Sequence, residues 1–434
     1  MSKTKKLHIG MSLAATWLSG DAWRRQDSNV EGIYSTDYYV DIARRSETAK
    51  LDFVFRPDSL FLNPQALDNT PGSASLDPTV LLASIARETS KIGLLSTIST
   101  TFYPPYVVAR QVQSLNWISN GRAGWNIVTA LDGNENFGLP IMPSSQERYD
   151  RAAEFTEVVC QLWDSFPNEA LKLNRDIGTY SDPSLVQPIN HNGTNFSVKG
   201  PLNIPNPGHS RIPLFQAGAS SVGRNFAASI ADAIFASTPD RDAAIELRQD
   251  LQKRAEEHGR KPKDIRLLPG LSLYLAESRA EARELFQETH ARMDRARKLA
   301  SIGEMTGLDL NDWPNGRQIT ERDLPEAPQQ VRSRTHSELL RRLIVRDEPT
   351  LDSLLMRPEV IGSAHWQIIG TVNDAVEEIS EWAAAGAIDG FVAVPGGSVG
   401  SMHLVLSEMV PELAEVGLFR KDYSTTTLLG HLSE

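Results

Sequence analysis

Apolar and polar positions along the chain follow two alternating periods. Short apolar runs with the length of a β-strand alternate with longer segments in which apolar residues recur every three or four positions, as in amphipathic helices. The short runs predict strands at residues 7–13, 51–55, 92–98, 124–129, 213–218, 233–236, 265–275 and 388–394. The longer segments predict helices at residues 37–50, 78–90, 106–119, 146–166, 222–231, 243–258, 373–385 and 402–416.

Strands that alternate with helices in this way favour an α/β fold of the (β/α)8 type, the TIM barrel, over a doubly wound sheet. We therefore expect residues 1–434 to form a single domain.

Two stretches interrupt the pattern of alternating strands and helices. Residues 167–212 are rich in Pro, Asn and Gly, with a hairpin expected around 195–199, and residues 300–360 are polar and partly helical. We expect both insertions to lie over the barrel mouth, where active-site lids are usually found.

Composition then narrows the classes of function. The net charge of −11 argues against a nucleic-acid partner, which needs a basic face. The single cysteine, Cys160, excludes an internal disulfide framework and fits a reducing compartment. The sequence has no run of about 18 apolar residues, so no transmembrane helix is predicted and we expect a cytoplasmic protein.

Polar residues follow the predicted strands, where a barrel of this type builds its active site. They are mostly uncharged and include Asp58, Thr97, Asn126, Thr129 and Gln216. Metal-dependent hydrolases and aldolases of this fold need clustered His and Asp residues, or a Lys, at these positions. The chain contains neither His-x-His nor His-x-x-x-His, so no metal site is predicted. Neutral hydrogen-bonding groups suit a cofactor that supplies its own reactivity.

The turn after the fifth predicted strand is a candidate phosphate site. Its sequence is Gln216-Ala-Gly-Ala-Ser-Ser-Val-Gly223, and small residues at a helix start leave backbone N–H groups free to bind an anion. The turn Pro395-Gly-Gly-Ser-Val-Gly400 after the last strand is a rival. Tyr149 opens the fourth predicted helix and is either a structural residue or a phosphate ligand. No Gly-x-Gly-x-x-Gly follows a strand, so no Rossmann site is predicted.

Several sequence blocks together resemble one enzyme family. They include Leu51-Asp-Phe-Val-Phe55, Gly121-Arg-Ala-Gly-Trp-Asn-Ile-Val-Thr129, Asn136-Phe-Gly138, Arg148-Tyr149 and Gln216-Ala-Gly218. The chain resembles, over nearly its whole length, the family of nitrilotriacetate monooxygenase component A and dibenzothiophene-sulfone monooxygenase, which are bacterial-luciferase-like flavin monooxygenases. The resemblance implies that reduced FMN from a separate NAD(P)H:flavin reductase is used with O2 to oxidise a small organic molecule. It also implies a homodimer or homotetramer.

The resemblance also assigns site residues by position. It places Asp58, Thr97, Asn126 and Thr129 around the flavin ring and ribityl chain, and Tyr149, Gly218, Ala219 and Ser220 at the phosphate. Ala219 departs from the family, because a serine is usual there, and only its backbone N–H remains to bind. Arg56 stands where an apolar residue is usual, so its charge either stabilises anionic reduced flavin or binds an acidic substrate. We predict that Asn126 and Arg56 act in catalysis.

Other functions remain open from the sequence. A flavin- and O2-dependent enzyme that cleaves a C–N bond in a heterocycle, an F420-dependent oxidoreductase, and a non-catalytic flavin carrier or sensor all fit polar strand ends. The substrate is not specified by the cofactor residues. We expect Arg56, Trp17, Trp23 and the two insertions to determine it.

Overall fold

The structure is a computed structural model that describes residues 6–14, 19–68, 71, 74–208, 211–218, 220–329, 331 and 333–434. The strands of its main sheet are β1 (His8–Ser12), β2 (Phe53–Arg56), β3 (Gly93–Ser99), β4 (Ala123–Val128), β5 (Leu214–Ala217), β6 (Ala233–Ala236), β7 (Arg266–Leu275), β8 (Trp366–Gly370) and β9 (Gly390–Pro395). The helices are α1 (Thr36–Thr48), α2 (Pro78–Glu88), α3 (Pro105–Ile118), α4 (Ser145–Asp164), α5 (Ser221–Ile230), α6 (Arg241–Glu257), α7 (Arg279–His290), α8 (Arg295–Thr306), α9 (Arg334–Asp347), α10 (Leu351–Leu354), α11 (Pro358–Ile361), α12 (Val372–Ala384), α13 (Val399–Leu404), α14 (Val410–Glu415) and α15 (Leu428–Leu432).

Strands β1 to β7 and β9 form a closed parallel barrel. Each strand from β1 to β7 pairs with the next, β7 pairs with β9, and β9 returns to pair with β1. Parallel strands need crossover connections, and a helix follows each barrel strand. The predicted (β/α)8 barrel is confirmed, and the predicted strands and helices lie within a few residues of those observed.

Strand β8 was not predicted. It runs parallel to the second half of β7, from Leu271 opposite Trp366 to Leu275 opposite Gly370, beyond the part of β7 that pairs with β6. Only alternate residues of β8 are fully buried, unlike the continuously buried barrel strands. A short, half-buried strand beside a polar insertion gives a weak sequence signal.

An apolar layer fills the barrel interior. The rings of Phe53 and Phe215 meet edge to face at 5.1 Å between centroids. Helix α15 closes the amino end of the barrel, because a Cβ at Gly93 or Gly124 would lie 2.5 or 2.7 Å from the side chain of Leu428. The two glycines therefore make room for this residue. A ligand that enters the barrel has to come from the carboxyl end of the strands.

A buried ion pair fixes the segment that carries α15. Asp52 is fully buried at the start of β2 and accepts bonds from Arg420 at 2.6 Å and from the backbone N–H of Ile9 at 2.7 Å. His8 Nδ1 lies 3.2 Å from the same carboxylate. Burial opposes ionisation, but Arg420 and His8 outweigh it and lower the pKa of Asp52.

The first insertion contains two small hairpins, Leu171–Asn174 with Thr179–Ser181 and His191–Asn192 with Ser197–Val198. The second is close to the predicted hairpin. Glu154 of α4 accepts backbone bonds from Asn195 and Phe196 at 2.8 and 2.9 Å. Burial raises the pKa of Glu154, but these bonds and those from the side chains of His191 and Asn195 outweigh it and lower the pKa to about 2.

The position of the first insertion differs from the prediction of a lid over the mouth. Its described contacts include the outer sides of α3 and α4, where Trp117 donates to the carbonyl of Pro205 at 2.6 Å, and Asp232 just before β6, which pairs with Arg211. The physical reason is its place in the chain. It connects α4 to β5, and a helix-to-strand connection begins at the amino end of a parallel barrel.

The second insertion carries α8 to α11 around its own apolar core, which includes Leu299, Ile302, Leu340 and Leu351. It contacts the carboxyl end of the barrel as predicted. Arg346 of α9 donates at 2.6 Å to Asp240, which follows β6 and caps α6. Across the described part of the chain, no helix is both long and apolar enough to span a bilayer.

We predict that Arg420→Met lowers the free energy of unfolding by about 3–5 kcal/mol, because it leaves the buried charge of Asp52 without its guanidinium. The stabilisation should be present at neutral pH and be lost as the pH falls through the lowered pKa of Asp52. Urea unfolding measures both effects. Lys421→Met is the control, since its ion pair with Glu415 is exposed and contributes at most about 1 kcal/mol. Equal losses in the two variants would contradict this role.

Candidate active site

Two polar side chains meet inside the barrel at the carboxyl end of β3 and β4. The register pairs Thr97 with Asn126, and the Asn126 amide donates to Thr97 Oγ1 at 3.0 Å. Alternation along β3 places Thr97 on the same side as Leu95, which belongs to the interior cluster. The oxygen of the Asn126 side chain is buried and has no partner among the described residues. A buried acceptor of this kind is suited to a ligand that brings a donor.

A second polar cluster surrounds the hydroxyl of Tyr149. This residue lies in the second turn of α4, and Gln216 Nε2 donates to its hydroxyl at 3.2 Å. Thr129 and Ser220 also interact with it through their side chains. Burial raises the pKa of Tyr149 more than these neighbours lower it, so the phenol stays protonated and able to donate at neutral pH. The structure thus brings together residues from α4, the end of β4 and the turn after β5.

The turn after β5 is built for close approach of its backbone. Gly218 has a φ of 131°, a value that side chains disfavour. Ser220 caps α5 by accepting from the N–H of Gly223 at 3.2 Å. A Cβ at Gly223 would lie only 2.6 Å from the Tyr149 hydroxyl. The helix start, two glycines and two hydroxyls therefore form a compact turn whose donors suit an anion. Ala219 lies outside the described residues.

Arg56 and Asp58 lie at the end of β2 and just beyond it. Arg56 is 5% exposed, and its Nη1 donates to the carbonyl of Leu13 at 2.6 Å. It alternates with the interior residue Phe55, so its side chain leaves the strand toward α1, where its guanidinium lies 5.4 Å from the Tyr39 ring centroid. Asp58 is partly buried, and burial raises its pKa. The structure therefore brings these two residues near each other, on a different side of the site from Tyr149.

A further wall was missed by the sequence analysis. The ring of Phe235 lies 5.3 Å from that of Phe55 and 5.5 Å from that of His365. Burial lowers the pKa of His365 to about 4, which keeps the imidazole neutral. Thr238 is 1% exposed, and its hydroxyl has no partner among the described residues. Its place after β6 was visible in the sequence, whereas His365 precedes the unpredicted strand β8.

The rival phosphate turn after β9 has a different environment. Ser398 caps α13 by accepting from the N–H of Ser401 at 3.0 Å. The adjoining cleft is lined by five glutamates, Glu277, Glu281, Glu284, Glu288 and Glu408, with Arg25 as its only described arginine or lysine. This concentration of negative charge opposes a phosphate at the rival turn.

Of the two tryptophans predicted to determine which substrate is bound, only Trp23 lies among the described residues. Trp23 is partly buried and packs against the main core beneath the β1–α1 connection. Trp17 lies outside the described residues. In the part of the chain that the structure describes, no group of three or more His, Cys, Asp or Glu side chains is arranged to hold a metal ion.

The site therefore combines an anion-binding turn with neutral polar groups and apolar walls at the mouth of a parallel barrel. Such a donor set suits a barrel enzyme whose cofactor supplies the reactivity. The chain belongs to the luciferase-like monooxygenase family, whose model matches residues 18–388. It is a flavin-dependent monooxygenase.

Relatives and solved structures agree over the full length. The chain is 34% identical to the N-acetyl-S-(2-succino)cysteine monooxygenase of Bacillus subtilis (strain 168), covering 99% of this chain and 97% of that one. It is 32% identical to nitrilotriacetate monooxygenase component A of Aminobacter aminovorans, covering 100% and 97%. A riboflavin lyase, solved with modified FMN and riboflavin, is similar with a TM-score of 0.82 at 28% identity, covering 99% of this chain and 96% of that one.

We predict that Gly223→Ala lowers the free energy of unfolding by about 1–3 kcal/mol, because the new methyl group displaces the buried Tyr149 hydroxyl. Gly400→Ala in the rival turn is the matched control. Its Cβ would lie 3.5 Å from the nearest atom, Ser398 Oγ, so alanine should be neutral or stabilise α13 by up to about 1 kcal/mol. Thermal or urea unfolding compares the two. A tolerated Gly223→Ala would mean that Tyr149 is not held tightly.

Proposed function

We propose that the chain is the oxygenase component of a two-component system that uses reduced FMN and O2 to oxidise a small organic molecule. The observation that carries this proposal is the cluster of Thr129, Tyr149 and Ser220 at the start of α5. It offers hydroxyl and backbone donors to a phosphate, one strand away from the unpartnered acceptor of Asn126. Reduced flavin supplies the electrons with which O2 is activated.

The residues fit FMN at both of its ends. At the phosphate end, a protonated Tyr149, the Ser220 hydroxyl and the N-terminus of α5 supply donors without a lysine. Gly218 lies in the same turn and has no side chain that would block the approach of the phosphate to the backbone. At the ring end, the side-chain oxygen of Asn126 is an acceptor for an N–H group, and Thr97 fixes the amide by accepting from its nitrogen. A reduced isoalloxazine carries more N–H donors than an oxidised one, so this acceptor favours the reduced form.

The assignment of the phosphate to the turn after β5 rests on electrostatics. Both candidate turns begin a helix with a serine cap. The turn after β9 adjoins a cleft with five glutamates, whereas the turn after β5 adjoins neutral Tyr149, Gln216 and Thr129. The helix-terminus contribution is of the order of 1 kcal/mol, which nearby glutamates offset. The β5 turn is therefore the better phosphate site.

A separate reductase would supply the reduced flavin. The sequence lacks a Gly-x-Gly-x-x-Gly segment after any strand, so a Rossmann-type nicotinamide site is not predicted in this chain. One relative is itself named component A of its enzyme. Association of the chain with itself and a cytoplasmic location belong to the same proposal.

Oxidative C–N bond cleavage is the second candidate. It is favoured by the similarity to a riboflavin lyase solved with modified FMN. The F420 alternative has weaker support, since the solved F420-dependent alcohol dehydrogenase shares 16% identity and thus the fold alone. Titration with FMN and with F420 separates the two cofactors, and a preference for F420 would overturn the FMN proposal.

The activity itself is tested by mixing the protein, loaded anaerobically with reduced FMN, with aerated buffer. A transient absorbing species distinct from oxidised and reduced flavin supports an oxygenase, because the site excludes water around the bound flavin. Reoxidation at the rate of free flavin would instead indicate a carrier or a sensor.

We predict that Ser220→Ala and Tyr149→Phe each weaken FMN binding by about 1–2 kcal/mol, the loss expected for one hydrogen bond to a charged group. Riboflavin lacks the phosphate, so its affinity should change little in either variant. Fluorescence titration measures both ligands. Ser398→Ala is the control and should leave FMN affinity unchanged. Unchanged affinity in the first two variants, with a loss in the third, would move the phosphate to residues 396–398.

A further inference from the structure

Three arginines are buried in the part of the chain that the structure describes. Arg56, Arg122 and Arg420 are 5%, 2% and 3% exposed. A buried cation is costly unless partners replace its water, so each of them needs acceptors. The three differ in whether the protein supplies those acceptors, and this difference separates a structural arginine from one that awaits a ligand.

The protein neutralises Arg420 and supplies acceptors for Arg122. All three side-chain nitrogens of Arg122 donate, in five hydrogen bonds to backbone carbonyls and to the Thr89 hydroxyl. Arg420 lies between two carboxylates, with Asp52 at 2.6 Å and Glu434 at 3.3 Å, although its Nη1 has no partner among the described residues. Both residues therefore have structural roles, Arg122 through its hydrogen bonds and Arg420 through its ion pairs.

Arg56 is not satisfied in this way. Its one hydrogen bond to the described residues runs from Nη1 to the carbonyl of Leu13. Its Nε is buried without a partner, and within the described ranges it makes no ion pair. Asp58 is near enough to raise the pKa of Arg56 but forms no ion pair with it, and Tyr39 contributes only its ring face. Among the described residues, the edge formed by Nε and Nη2 therefore has no hydrogen-bond acceptor.

That edge has the geometry of a carboxylate receptor. The Nε–H and one Nη2–H of a guanidinium point the same way and match the two oxygens of a carboxylate. Arg56 ends β2, and its register partner on β3 is Ser96, the residue before Thr97. It therefore lies at the carboxyl end of β2, beside the strand that carries the Thr97–Asn126 pair, with its guanidinium on the α1 side of the strand.

We propose that Arg56 binds a carboxylate of the substrate, so that the oxidised molecule is an organic acid. This inference rests on the proposed monooxygenase function and specifies its substrate class. A carboxylate supplies the missing counter-ion and accepts from Nε and Nη2, while Nη1 remains anchored to Leu13. Arg56 thus selects and orients the substrate, and the flavin residues on β3, β4 and the turn after β5 are left to the cofactor.

The first test uses the unmodified protein loaded with oxidised FMN, without reductant, so that binding is measured apart from turnover. Calorimetric titration compares N-acetyl-S-(2-succino)cysteine, nitrilotriacetate and succinate with their methyl esters. At least one acid should bind about 10- to 100-fold more tightly than its ester, as expected for charged hydrogen bonds. Ester binding equal to acid binding for all three, or no binding by any acid, overturns the proposal.

The second test compares variants at the same position. Arg56→Met keeps the length of the side chain without its charge and should abolish the preference for the acid, while Arg56→Lys should retain part of it. Ser220→Ala is the matched control, since it weakens FMN yet should preserve the preference. If Arg56→Met weakens FMN binding and leaves the acid preference intact, Arg56 serves the flavin and the proposal fails.

The two proposals fail in different ways. If the unmodified protein does not bind FMN, the proposed function is refuted. The preference for the acid over its ester can still be measured on the flavin-free protein. FMN binding without any acid preference would refute only the substrate class. If Arg56→Met does not fold, the acid and ester titrations on the unmodified protein and on Arg56→Lys decide the question.

Discussion

Closure of the parallel barrel is the constraint on which the site depends. Because every barrel strand has two neighbours, side chains alternate strictly between the interior and the helix layer. The interior is filled by aromatic and aliphatic residues such as Phe53 and Phe215, and Leu428 closes it from the amino end. The next interior level carries Thr97 and Asn126. Polar groups at that level have apolar side chains below them, so their remaining hydrogen-bonding capacity is available to a ligand that enters from above.

The same alternation explains what the sequence could predict. The pattern of apolar and polar positions can be recognised without coordinates, and it predicted the eight strands. It also revealed polar residues on otherwise apolar strands, as in the segment that contains Trp125 and Asn126. Trp125 packs outward against Phe155, with 5.9 Å between ring centroids, whereas Asn126 faces the interior. What escaped prediction depends on contacts between distant parts of the chain. Strand β8 is stabilised by β7, about a hundred residues earlier, and His365 acquires its environment from Phe235.

Charge distribution matters more at this site than net charge. The chain is acidic overall, yet the start of α5 offers oriented donors to an anion, and the carboxylate near it, Asp250, is paired with Arg224 and Arg254. The turn after β9 has a similar sequence but adjoins a cleft of glutamates on α7 and beyond. Two Gly/Ser-rich turns of nearly equal appearance in the sequence are thus distinguished by side chains that only the fold brings near.

In the proposed assignment, cofactor recognition and substrate recognition lie on different strands, which allows one to vary while the other is kept. The groups suited to flavin come from β3, β4, β5 and the start of α4, and they include two hydrogen-bonded pairs, Thr97–Asn126 and Tyr149–Gln216. Arg56 on β2 and the Phe235–His365 wall belong to neither pair. A substitution there changes charge or shape at the barrel mouth without removing a flavin ligand. This arrangement explains why the sequence identifies the cofactor class readily, whereas the proposed substrate class depends on Arg56, a buried arginine that makes no ion pair among the described residues.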